Sequence, residues 1–193
     1  GWRAKTAYWS IKWKNRTIKV YLTKDQIENG PGIDSQSPIS RQKEAEYANY
    51  YNWPVYWRLP IPPPPGASPV DDSAGTPGET GGQGLRSTEE ISGYRIHAID
   101  GIIGHVEDFI ADDDYWKIRY LVVGTGKWDP GKKVLISSGW ATSIDWEQRL
   151  VYVDLRKSKI KSSPEYDPAQ PVNREIEDNL YDYHGRPKYW EDK

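Results

Sequence analysis

The chain has 193 residues with 26 Lys and Arg against 28 Asp and Glu, a formal charge of −2, and its cations are scattered among acids, which argues against the clustered charge that non-specific nucleic-acid binding needs. It has no cysteine, so disulfides and thiolate-ligated metals are excluded. No apolar run approaches the roughly 20 residues of a membrane helix, and no signal-peptide pattern opens the chain.

Methionine is absent, even at position 1, so a processed or truncated form of a longer chain is expected. Residues 1–12 lead into Trp13, and Asn15-Arg16 reads as a turn between short strands. Thr17 to Leu22 alternates with period two, which predicts a half-buried strand with Ile18, Val20 and Leu22 on one face. Lys24 to Glu28 reads as a single helical turn stopped by Asn29-Gly30-Pro31. Ser40 is placed to cap a helix over Arg41 to Tyr51, and Pro54-Val-Tyr-Trp57 follows it.

Residues 59–84 are rich in Pro, then in Gly, Ser and Thr. They predict a linker, stiff polyproline II giving way to flexible chain. From Leu85 onward strand signals dominate. Gly93 to Ile99 and Ile102 to Ile110 flank Asp100-Gly101, a two-residue hairpin signal. Trp116 to Val123 follows the acidic turn Asp112-Asp113-Asp114, and a Gly/Pro loop leads to Val134 to Ser137. Strands at Thr142 to Trp146 and Arg149 to Leu155 complete six, which predict a small antiparallel barrel. A helix with Ile176, Leu180 and Tyr183 on one stripe ends the chain, capped by Asn173 and closed by Gly185.

The stretch Trp13 to Trp57 occurs twice. Moving it by 133 residues lays it on Trp146 to Trp190 without a gap, with 15 identities in 45 positions, where average residue frequencies give about three. Val20/Val153, Ile27/Ile160, Arg41/Arg174, Glu44/Glu177 and the Pro-x-Tyr-Trp endings are among them. Such self-similarity is read as an internal duplication.

Gly93 to Phe109, Ile118 to Val123 and Gly131 to Ser137 together resemble the PRC-barrel domain. That small barrel occurs in the cytoplasmic part of the photosynthetic reaction centre H subunit, in a ribosome maturation factor and in stand-alone bacterial proteins. The resemblance is greatest to the stand-alone group, whose tail also carries an Arg-x-x-Glu helix ending in Pro-x-Tyr-Trp. It covers residues 85–190, and residues 4–57 as a second half only, because the Gly-Tyr-Arg-Ile…Asp-Gly hairpin and the Leu-Val-Val strand have no counterpart in the first copy. Half a barrel leaves a strand edge and an apolar face uncovered, so the missing strands are expected from elsewhere.

The candidate chemistry is sparse. With Asp100-Gly101 as the turn, His97 pairs opposite residue 104, which puts His97 and His105 on opposite faces and argues against a shared metal. His184, at a helix end, has a solvated or dipole-favoured position as its ordinary explanation. The three aspartates at 112–114 lack EF-hand spacing, and Gly124-Thr-Gly126 lacks the Gly-Lys-Ser/Thr ending of a phosphate loop. No nucleophile, base and orienting group fall into a catalytic order.

The excess of aromatics, 10 Trp and 14 Tyr, is informative, since such residues concentrate at interface centres. Tyr47, Tyr50, Trp53, Tyr56, Trp57, Tyr183, Tyr189 and Trp190 are therefore the candidate partner-binding residues, with packing on their own barrel as an equal alternative. The whole predicts a mainly β protein with short helices: a tandem of small antiparallel PRC-type barrels, the first incomplete at its N-terminus. The expected divisions are residues 1–58, a linker at 59–84, and a complete domain at 85–193. Function is expected to be non-catalytic, that of an adaptor or assembly subunit docked on other protein chains, one of which completes the half-barrel, or a homo-oligomer. No cofactor or metal is expected, and the place is cytoplasmic, at the face of a membrane complex such as a reaction centre. The alternative is an RNA- or ribosome-associated module.

Overall fold

A computed structural model describes residues 9–12, 17–34, 38–53, 85–113, 115–126 and 129–191. The chain divides into two compact units, Gly1–Ser87 and Thr88–Lys193. The turn at Asn15-Arg16, the linker at 59–84, and Trp13, Tyr56 and Trp57 lie outside the described residues.

In the first unit, β1 (Trp9–Lys12) and β2 (Thr17–Val20) form an antiparallel hairpin. Helix α1 (Lys24–Glu28) follows, started by a capping box in which Thr23 and Gln26 satisfy each other's backbone N–H groups. Helix α2 (Arg41–Tyr51) is capped by the Ser40 hydroxyl and closed by Asn52 in the left-handed conformation. Strand β2 is exposed along its whole length, with Ile18 at 53% and Val20 at 44%. This corrects the expected half-buried strand: the alternation is present, but no layer among the described residues covers its apolar face.

The second unit opens with a short helix, α3 (Thr88–Ile91), which no periodicity announces. Six strands follow: β3 (Arg95–Ala98), β4 (Gly101–Ala111), β5 (Ile118–Gly124), β6 (Lys133–Ser137), β7 (Ala141–Asp145) and β8 (Leu150–Val153). They form one sheet in the order β6-β5-β4-β3-β8-β7. The unbroken apolar run Tyr120 to Val123 is buried residue after residue, as expected of a strand covered on both faces. Helices α4 (Lys157–Lys161) and α5 (Arg174–His184) complete the unit. Leu180 and Tyr181 of α5 enter the core beside Tyr94, Ile96, Val106, Tyr120, Ile136 and Val151.

The sheet is mixed rather than antiparallel, because β3 and β8 run parallel, with Ile96 opposite Val151. The cause is the three-residue 3-10 turn Ser138–Trp140. Every other connection between sequential strands from β3 to β8 reverses the chain; this turn does not, so β6 and β7 share a direction and β8 returns parallel to β3.

The first hairpin of the sheet also differs from expectation. Ala98 pairs with Gly101 and His97 with Ile102, so the two turn residues are Ile99 and Asp100. A register shift then brings Arg95 opposite His105. It falls at Gly104, which has φ +64 and where a Cβ would collide with the Gly124 carbonyl; only glycine fits such a bulge without strain.

Candidate docking site

A shift of 133 carries β2, α1 and α2 onto β8, α4 and α5 with identical bounds. Hydrogen bonds follow the same shift. Tyr50 donates its hydroxyl to the Gln26 carbonyl (3.1 Å) as Tyr183 does to that of Lys159 (3.3 Å). The Trp53 amide bonds to Ala48 as the Arg186 amide does to Tyr181, closing each helix in the same way. Arg41 pairs with Glu44 at 3.1 Å as Arg174 does with Glu177 at 2.7 Å.

The two units differ in what covers this framework. Val151, Val153 and Ile160 are 1%, 3% and 0% exposed, whereas their counterparts Ile18, Val20 and Ile27 stand at 53%, 44% and 52%. In the second unit β3 to β6 supply the cover over these aliphatic residues, whereas the carboxylates Glu44 and Glu177 are enclosed in both units. Tyr120 donates to Glu177 Oε1 at 2.6 Å and Tyr189 to the same oxygen at 2.8 Å, while Arg174 holds Oε2. Burial, then the hydrogen bond to the carboxylate, push the phenols of Tyr120 and Tyr189 upward. Both remain neutral donors at ordinary pH.

The predicted aromatic residues divide accordingly. Tyr189 and Trp190 pack on their own unit: Arg119 lies 4.2 Å from the Tyr189 ring, Arg174 lies 4.3 Å from the Trp190 ring, and both rings meet Tyr181. Tyr183 is half-buried under Lys159. In the first unit Tyr47 is partly buried and donates to the Gly32 carbonyl at 2.8 Å. Tyr50 and Trp53 are 40% and 38% exposed, and Trp53 stacks on Tyr51 at 4.6 Å. Those two share the first unit with Ile18, Val20 and Ile27, which the aromatic excess did not single out. The signal for them was the 133-residue correspondence, which sets Ile18, Val20 and Ile27 against the buried Val151, Val153 and Ile160.

Other candidates resolve into structural roles. Asp112 accepts from Arg119 at 2.6 and 2.9 Å and from the Tyr115 amide, which fixes the acidic turn; Asp114 lies outside the described residues. Thr125, 1% exposed, donates to the Asp129 and Lys132 carbonyls and shapes its own loop. The shifted register puts His97 and His105 on one face, not two, because Arg95 pairs with His105 and shares its side with His97. There His97 lies against the Tyr152 ring and His105 beside Glu107. Among the described residues no group of three or more His, Asp or Glu is arranged for a metal.

His184, in the last turn of α5, is half-buried rather than fully solvated. It packs 4.8 Å from the Trp140 ring, shares a hydrogen bond of 3.1 Å with Ser163, and is lowered to about 4 by burial and by the charges of Lys159 and Arg186. A cleft of about 170 Å³ in the first unit, between Ile33, Pro38, Ile39 and Tyr47, carries one amine, Lys43, and one carboxylate, Asp34.

A six-stranded mixed sheet with its C-terminal helix packed into the same core defines a small, mainly β domain. Its particular kind follows from the match of residues 86–160 to the family model of the PRC-barrel domain: the second unit carries a PRC-barrel domain. No curated protein matches the chain.

Proposed function

We propose that this chain is a non-catalytic adaptor or assembly subunit that docks on a larger protein complex. On this reading it is a tandem: the first unit is the second half of a PRC-barrel-like domain, and the strands of a complete copy close around one core. The observation that supports it is the exposed face of Ile18, Val20 and Ile27, whose counterparts are buried. Fully burying such a side chain is worth about 1.5–3 kcal/mol, so covering the three favours association by several kcal/mol before its entropic costs. The family resemblance suggests a membrane electron-transfer complex of the reaction-centre kind, approached from its cytoplasmic face. No helix among the described residues is long and apolar enough to cross a membrane, so membrane contact on this reading is indirect.

Native mass spectrometry of the protein taken from its source tests the reading. Co-eluting chains that are lost when Ile18 and Val20 are both replaced by Asp are the expected result. A lone species of 22.2 kDa overturns it, and salt-sensitive RNA affinity would favour a ribosome-associated module instead.

A further inference from the structure

The second unit specifies what fits the exposed face of the first. There, β3 lies parallel to β8 with Ile96 opposite Val151 and His97 opposite Tyr152. The Ile99 amide bonds to the Leu155 carbonyl, extending the seam past the strand ends. From the third strand of that segment Tyr120 reaches Glu177. The matching acceptor in the first unit is present and similarly enclosed: Glu44 is 6% exposed and Glu177 is 7%. Both hold their arginine in the same i, i+3 pair. Among the described residues β2 has β1 as its one strand neighbour, so its far edge is the position that β3 takes beside β8.

We propose that the first unit is a receptor for one kind of occupant, a four-stranded segment with the residue pattern of Gly93 to Ser137. It docks with its first strand parallel to Thr17–Val20 and its third strand presenting a hydroxyl to Glu44. This rests on the reading of the first unit as half a domain. Shifting the observed register by 133 sets the occupant's counterpart of Ile96 opposite Ile18 and that of His97 opposite Lys19. The occupant buries Ile18, Val20 and Ile27 under small apolar side chains like those of Ile96 and Ala98. A second copy of this chain is not that occupant, because its own Gly93 to Ser137 is already paired with its β8.

The test uses the full chain with a second copy of residues 88–140 joined ahead of Gly1 by a flexible linker, compared with the unextended chain by amide hydrogen exchange. The β2 amides facing away from β1 are expected to exchange quickly in the unextended chain and at least about 100-fold more slowly in the extended one. Replacing the tyrosine at the Tyr120 position of the added segment by Phe should return about tenfold of that protection, the cost of a hydrogen bond to a charged group. Ile18→Asp with Val20→Asp should abolish the protection.

If those amides are already slow in the unextended chain at low concentration, the half-domain reading itself fails. If they stay fast in both chains while β3 to β6 of the second unit remain protected, that reading stands and this occupant is overturned. Protection that grows with the concentration of the unextended chain makes a second copy the occupant, which also overturns the proposal.

Discussion

The Tyr120 hydroxyl meets the Glu177 carboxylate at 2.6 Å, joining residues 57 apart in the chain and tying the C-terminal helix to the sheet. A buried carboxylate is tolerated only when its lone pairs are satisfied, and here two phenols and an arginine do so. Tyr120→Phe should lower the stability of the second unit by about 2 kcal/mol, measured as a displaced urea midpoint with unchanged slope. A loss under about 0.5 kcal/mol would mean that Tyr189 and Arg174 suffice.

Gly104 and Gly126 share φ +64, but only Gly104 faces a neighbouring backbone where a Cβ would stand. Alanine at Gly126 bears only the left-handed penalty, about 1–2 kcal/mol. At Gly104 a steric term of about 1–3 kcal/mol is added. Thermal melts of Gly104→Ala and Gly126→Ala should therefore separate clearly, with Gly104→Ala the less stable; equal melting points would contradict the bulge geometry.

Unfolded, the His184 ring takes its proton near the ordinary 6.5; folded, near 4, because burial comes first and Lys159 and Arg186 add to it. Between those values unfolding takes up a proton, so the stability contributed by the neutral ring is complete above about pH 7 and declines as pH falls through 6.5 toward 4. Since the ring is only half-buried, the loss between pH 7 and 4.5 should be about 1–2 kcal/mol after screening is allowed for. His184→Gln should flatten that dependence, as denaturant titration at the two pH values would reveal.

Trp190 packs against the core and under Arg174, whereas Trp53 is 38% exposed. Trp190→Ala should cost about 2–3 kcal/mol and leave partner association intact. Trp53→Ala should change stability by less than about 0.5 kcal/mol. The pair of variants, measured by melting and by co-purification, distinguishes core aromatics from surface ones.

Much of the framework was legible because its signals are local. Ser40 and Asn173 announce helix starts and Gly185 a left-handed helix end, and alternating or continuous apolar runs locate all six strands of the second unit. What escaped depends on partners distant in sequence. The bulge at Gly104 reversed the relation of His97 to His105, which the displacement of the turn to Ile99-Asp100 would by itself have left unchanged. The direction of β8 depended on whether Ser138–Trp140 reverses the chain, which composition does not reveal.

Of the two readings the sequence left open for its aromatics, partner contact and packing on their own unit, the geometry assigns residues to each by burial. Counting Tyr and Trp directed attention to rings, yet Tyr189 and Trp190 are absorbed by Arg119, Arg174 and Tyr181. Aliphatic Ile18 and Val20 carry the larger exposed contrast. Their exposure goes with a strand layer that covers their counterparts in the second unit and has no equivalent among the described residues of the first, a property of no single window of sequence.

The parallel pair β3 and β8 also sets a kinetic order. The other strand contacts of the second unit join neighbours in sequence through short loops, whereas Arg95 meets Leu150 only after 55 intervening steps. Loop closure over that span carries the larger entropic cost, so the hairpins can form first and the seam closes them last. On that ordering the seam between β3 and β8 also brings α5 onto β5, so the Tyr120–Glu177 contact would form with it.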